Sequence, residues 1–120
     1  MSSAKPKAKY RVLPLPVVQR EAKKMLTAMQ VQEGIGLAKR LCNYPDIPDL
    51  SIERCGDGFE LRFASPAINL QGWLRAIFWV HEKSRTIYLV HLFWKKTNKV
   101  PIADMHLANH RIRLLKIELG

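Results

Sequence analysis

Acidic side chains are scarce in this 120-residue chain. Ten Asp and Glu face twenty Lys and Arg, for a net charge of +10 and a pI near 10. Such an excess says nothing of fold, but it favours polyanionic partners, nucleic acid first among them. Cysteine is scarcer still. Cys42 and Cys55 are the only two and form no C-x-x-C, so a disulfide framework and a zinc or thiol-redox motif are unsupported. They read as reduced thiols in a cytosolic protein. No apolar run approaches the roughly 20 residues that span a bilayer. The opening "MSSAKPKAKY" is basic but has no apolar stretch after it, so it is no secretory signal.

Several motifs are missing too. Without G-x-x-x-x-G-K-[ST], G-x-G-x-x-G or G-x-S-x-G, nucleotide-dependent chemistry and serine hydrolysis are unsupported. No paired carboxylates flank a cleft, which argues against two-metal nuclease chemistry. His106 and His110 stand four apart in "HLANH", but the glutamate of H-E-x-x-H is absent, so neither metal nor cofactor is expected. A basic recognition helix is also lacking, since 30–43 offers only Lys39 and Arg40.

What is present fits one domain. Residues 1–9 read as a flexible basic tail and 10–120 as the domain. "YRVLP" (10–14) predicts a strand. Val18, Ala22, Met25 and Met29 predict a helix over 15–29, with Pro16 in its first turn. Val31, Ile35, Ala38 and Cys42 predict a second over 30–43, weakened by Gly34 and Gly36. "NYPDIPD" ends this hairpin. The period then changes to that of strands. "LSIER" and "FELRFAS" flank the turn "CGDG", and "GWLRAIFWVHE" turns through "KSR" into "TIYLVHLFW". Met105, Ala108, Ile112, Leu115 and Leu119 line a final helix, with Asn109, Arg113 and Lys116 opposite. The sum is an α+β domain: an antiparallel sheet of three to four strands, an N-terminal helical hairpin and a C-terminal helix, with the helices on one face.

Charge is uneven along the chain: residues 1–60 carry +3 and residues 61–120 carry +7. Alternation along the third strand sets Trp73, Arg75, Ile77 and Trp79 on one side, and Leu74, Ala76, Phe78 and Val80 on the other. Arg75 therefore sits among large apolar groups, where a charge requires a partner. Two readings are open: an internal ion pair to Glu60 or Glu82, or a guanidinium held ready for a phosphate. On the next strand Leu89, His91, Phe93 and Lys95 share a side. If the strands are neighbours, Arg62, Arg75 and Lys95 or Lys96 converge on one surface. The lysines read equally as edge-protecting charges. His91 is either a proton-exchanging group or a half-buried strand residue.

These segments are similar to a known family. "GDGFELRF", "LRAIFWV" and "YLVHLFWKKTNKVP" before a helix resemble the RelE/ParE toxin superfamily, in its phage-derived, HigB-like branch. Glu60-Leu61-Arg62 matches the family's E-L-R strand and Arg75 its strand arginine. His91, Phe93, Lys95, Lys96, Thr97, Lys99 and Pro101 match its H-x-F-x-K-K-T-x-K-T-P segment. The resemblance covers about 57–117, with residues 10–56 fitting in element order only. It departs at Leu92, Trp94 and Val100, and in having no tyrosine after Tyr88.

The resemblance implies a RelE-like fold and the toxin of a type II toxin–antitoxin pair, acting in the cytoplasm. It implies a metal-free, ribosome-dependent mRNA endoribonuclease that inhibits translation. Arg62, Arg75, His91, Lys95 and Lys96 would form the catalytic set, and Lys99, Arg111, Arg113 and Lys116 would hold RNA. Partners would be the ribosome, mRNA and a cognate antitoxin, a small helix-turn-helix protein, with no membrane. Two alternatives stand beside it: DNA gyrase inhibition of the ParE type, whose members share the fold but lack the basic active-site set, and non-catalytic RNA binding.

Overall fold

The computed structural model describes residues 8–48, 50–62, 73–95 and 99–120. In chain order it contains β1 (Arg11–Pro14), α1 (Pro16–Met25), α2 (Ala28–Lys39), a 3-10 turn (Arg40–Asn43), β2 (Ile52–Cys55), β3 (Gly58–Arg62), β4 (Trp73–His81), β5 (Thr86–Lys95) and α3 (Ile102–Leu119). The class is α+β, with a helical pair first and a long helix last, as the sequence predicts. Lys9, placed in the tail by sequence, already belongs to the fold. Its backbone N–H donates to the Cys42 carbonyl at 2.9 Å, and its ammonium pairs with Asp46.

Local chemistry explains the helix boundaries. Pro16 stands in the first turn of α1, where its missing N–H costs nothing. The helix stops at Met25, four residues before the expected end, because Thr27 begins another. The Gln30 N–H donates to Thr27 Oγ1 at 3.2 Å, and the Thr27 N–H donates to Gln30 Oε1 at 2.9 Å. This reciprocal box satisfies two donors that would otherwise be orphaned. Met29, expected on the apolar face of the first helix, is instead 67% exposed on α2.

Five strands form one sheet among the described residues, in the order β1-β5-β4-β3-β2. The β2–β5 segment is an antiparallel meander. β1 adds a fifth, parallel strand on the edge of β5. It is anchored by Arg11 N–H to the Arg85 carbonyl at 2.9 Å and Leu15 N–H to the Leu89 carbonyl at 3.0 Å.

The helices cover both faces, not the single face expected. Alternation makes both sides of β4 apolar, so each needs a cover. Leu74, Ala76 and Phe78 pack with Val18, Ala38 and Leu41 beneath the helical pair. Ile77 packs with Val90, Phe93 and Ala108, Ile112 and Leu115 of α3 on the opposite side.

β5 also departs from strict alternation. His91 pairs with Ile77, but the next step pairs Leu89 with Phe78, leaving Val90 as an extra residue. The bulge turns Val90 and His91 to the same side. Leu89 therefore packs under the helical pair, whereas His91 meets α3. The expected Leu89–His91 face does not exist; His91, Phe93 and Lys95 continue on the α3 side.

Glycines sort by what their missing Cβ would meet. At Gly58 a Cβ would collide with the Phe78 carbonyl and crowd Ile112, so close strand packing excludes a side chain there. At Gly36, inside α2, nothing lies within 4 Å. Gly36→Ala is expected to raise stability by about 0.5–1 kcal/mol through helix propensity. Gly58→Ala is expected to lower it. Urea denaturation of both variants would show opposite signs; a gain for Gly58→Ala would contradict the packing.

Candidate active site

One end of the α3-side face is polar, and strand pairing builds it. Arg62 on β3 stands directly opposite Arg75 on β4, and Glu53 on β2 stands opposite Glu60 on β3. Like charges so placed repel. Setting the two pairs next to each other lets the unlike charges meet on the diagonal. Arg75 Nε donates to Glu60 Oε1 at 3.0 Å, and Lys95 Nζ donates to the same oxygen at 3.0 Å. The Arg75 guanidinium also donates to the Leu74 carbonyl at 3.1 Å. Ser51, Glu53, Glu60, Arg62, Arg75 and Lys95 together line a recess of about 80 Å³.

Three of its members are largely out of water, whereas Ser51, Glu53 and Arg62 are exposed. Arg75 is 5% exposed and Glu60 7%, and the Lys95 side chain is 8% exposed. Burial pulls the Arg75 guanidinium below its ordinary value; Glu60 opposes this, and the nearby Arg62 charge adds to it. Burial also pushes the neighbouring Cys55 thiol up, and the charge on Glu60 pushes it the same way. Arginine stays protonated regardless, so the lining carries three cations against two carboxylates. Such a set of donors suits an anion with several oxygen acceptors.

Arg62, Arg75 and Lys95 thus come together, as sequence alternation predicts. The ion-pair reading of Arg75 also holds: its partner is Glu60. Glu82 instead accepts from the Tyr10 hydroxyl and from Arg85. Lys96 lies outside the described residues.

His91 is not brought to the recess. It is 4% exposed and stacks on Phe93 beneath α3. Its Nε2 lies 2.6 Å from Asp104 Oδ1, and Arg111 donates to its Nδ1 at 3.2 Å. Nδ1 also lies 3.5 Å from Glu21 Oε2, so both ring nitrogens are engaged. Arg111 also reaches Glu21 and the Val90 carbonyl, the latter at 2.8 Å. It ties α3 to α1 and β5 and does not join Lys99, Arg113 and Lys116, which are exposed. The roles of Glu21, Asp104 and Glu53 went unread in the sequence, because each depends on contacts between distant segments. Among the described residues no group of three or more His, Cys, Asp or Glu could hold a metal ion. No described helix is long and apolar enough to cross a membrane.

Glu60 is the common anion of the recess, so its removal leaves two buried cations facing each other. Glu60→Ala is expected to cost about 3–5 kcal/mol of stability, as for other broken buried pairs. Urea unfolding would measure it; a loss below about 1 kcal/mol would show that the shared carboxylate does not hold the site together.

Comparison with known proteins places this architecture. No curated protein matches the chain. Among solved structures, an arginine double mutant of E. coli toxin RelE in the free state aligns with a TM-score of 0.58 at 9% identity. That alignment covers 89% of this chain and 98% of the other. The archaeal RelE–RelB complex from Pyrococcus horikoshii OT3 aligns at 0.52 with 20% identity, covering 73% and 97%. At such identities the likeness is one of fold, and the fold is RelE-like. The family described as "Phage derived protein Gp49-like (DUF891)" matches residues 18–113, from α1 through most of α3. This match takes in every strand of the recess, and the chain belongs to the phage-derived Gp49-like family.

Proposed function

We propose that this protein is the toxin of a type II toxin–antitoxin pair and cuts mRNA on the ribosome without a metal ion, acting in the cytoplasm. The observation that carries the reading is the recess, where Arg62, Arg75 and Lys95 surround a buried carboxylate. A backbone phosphate would enter against these cations and compete with Glu60 for them.

The RNA itself supplies the nucleophile. Its 2′-oxygen gives up its proton to water and bonds to the adjacent phosphorus, while the bond from phosphorus to the 5′-oxygen breaks and that oxygen takes up a proton from water. The products are a 2′,3′-cyclic phosphate and a 5′-hydroxyl. Negative charge builds on the phosphoryl oxygens in between, and fixed cations in a water-poor site stabilise it without reorganising. Arg75 suits two-point contact with those oxygens. Lys95 acts as a point charge and Arg62 supports at the rim, with Lys96 the next candidate in sequence. His91 would act through α3 packing, since both its nitrogens are engaged. Exposed Lys99, Arg113 and Lys116 would add sequence-independent contacts to RNA phosphates. A cognate antitoxin is the expected protein partner, in keeping with the RelE–RelB complex that shares the fold.

The test is a cell-free translation reaction with mRNA 5′ ends mapped by primer extension. Cuts should appear only with translating ribosomes. Arg75→Ala and Lys95→Ala should each reduce cleavage by about 10²–10³-fold, whereas Lys116→Ala should retain most of it. Intact message in the presence of folded wild-type protein would refute the reading. Inhibition of gyrase supercoiling in its place would move the protein to the ParE-type function.

A further inference from the structure

At the far end of the same sheet face lies a second surface that the recess does not use. Two rows of side chains cross three strands there. The register aligns Leu13 on β1, Tyr88 on β5 and Trp79 on β4, and beside them Arg11, Thr86 and His81. Trp79 and Tyr88 stack with centroids 6.3 Å apart and planes 23° from parallel. The His81 ring lies 5.4 Å from Trp79. The three rings are half-buried, and Leu13 is 42% exposed. Trp79 and Tyr88 touch only the margin of the cluster under α3.

The rim of this patch is basic. Arg11 reaches across to Thr86 Oγ1 at 3.2 Å and is exposed, as are Lys83 and Arg85 in the adjoining turn. The carboxylate in that turn, Glu82, is paired with Arg85 at 2.8 Å. Trp79 stands four positions along β4 from Arg75, about 13 Å at ~3.3 Å per residue. Ile77 and Phe93, covered by α3, lie between them. The patch and the recess are therefore separate sites on one face.

We propose that Trp79, Tyr88 and His81 form a stacking platform for unpaired bases of single-stranded RNA, with Arg11 and Lys83 meeting the backbone. Aromatic planes accept any base by its π-face, and flanking cations track the phosphates. A purely apolar partner would leave the basic rim unmatched. The proposal rests on the reading of the protein as one that acts on RNA, but not on cleavage.

The probe is a fluorescently labelled 2′-O-methyl oligouridylate, which has no free 2′-hydroxyl to attack its own backbone. Its binding is followed by anisotropy across a salt series. Trp79→Leu and Tyr88→Leu should each weaken binding about tenfold or more, with the salt slope unchanged, whereas Trp79→Phe should keep most of the affinity. Arg11→Ala should reduce the slope by about 0.7. Photo-crosslinking the wild-type protein to a 4-thiouridine oligomer gives an answer independent of variant folding, with adducts expected on Trp79 or Tyr88. Wild-type affinity in folded Trp79→Leu, adducts confined to the recess residues Glu53, Arg62, Arg75 and Lys95, or no RNA binding at all would overturn the proposal. Failure of the cleavage reading would show separately, as intact mRNA on translating ribosomes beside undiminished oligomer binding.

Discussion

A single carboxylate oxygen holds the polar end of this sheet together. Glu60 Oε1 accepts from Arg75 and from Lys95, each at 3.0 Å, with all three groups largely out of water. Isolated charges would not remain there; a group without partners would relax outward or lose its charge. The pairing fixes two cations from two different strands at one point. It thereby aligns β3, β4 and β5 at this end of the sheet. Stability and a charged recess are usually competing demands. Here the same contact meets both: the carboxylate that neutralises the two cations also holds them at the recess.

The fold supplies this arrangement by making both sheet faces apolar in the middle and only one polar at its end. The helical pair seals one side with Val18, Ala38 and Leu41. On the other, α3 lies across the centre of the face, over Ile77, Val90 and Phe93. Its grip depends on a polar chain through Glu21, Arg111, His91 and Asp104, and on Asn109, which accepts from the Asp57 backbone N–H at 3.0 Å. Those contacts fix the position of α3, and the position of α3 sets which strand residues face solvent.

Much of this was legible in the residues. Alternation along "FELR" and "WLRAIFWV" placed Arg62 and Arg75 on one face, because a strand admits only two orientations. The lysine ending β5 joined them for the same reason. The T-A-M-Q signature that divides α1 from α2 was also readable, but the apolar spacing of Met25 and Met29 ran across it and concealed the boundary. Other features had no local signal. Parallel pairing of β1 with β5 joins residues some 75 positions apart. The placement of α3 opposite the helical pair follows from two apolar faces needing cover, which a helix pattern read alone does not reveal. The bulge at Val90 defeats period-two counting by construction.

That extra residue links the two ends of β5. On the Thr86 side, the strand presents Tyr88 in phase with Trp79; on the Lys95 side, it presents His91, Phe93 and Lys95 in phase with Arg75. If Val90 took an ordinary place in the ladder, opposite Ile77, the two halves would fall out of step across the sheet. Aligning the aromatic end would turn Lys95 toward the helical pair and bring Trp94 to the recess. The bulge thus acts as a phase adjuster, so the length of β5 on either side of it is constrained even where the side-chain identities are free to vary.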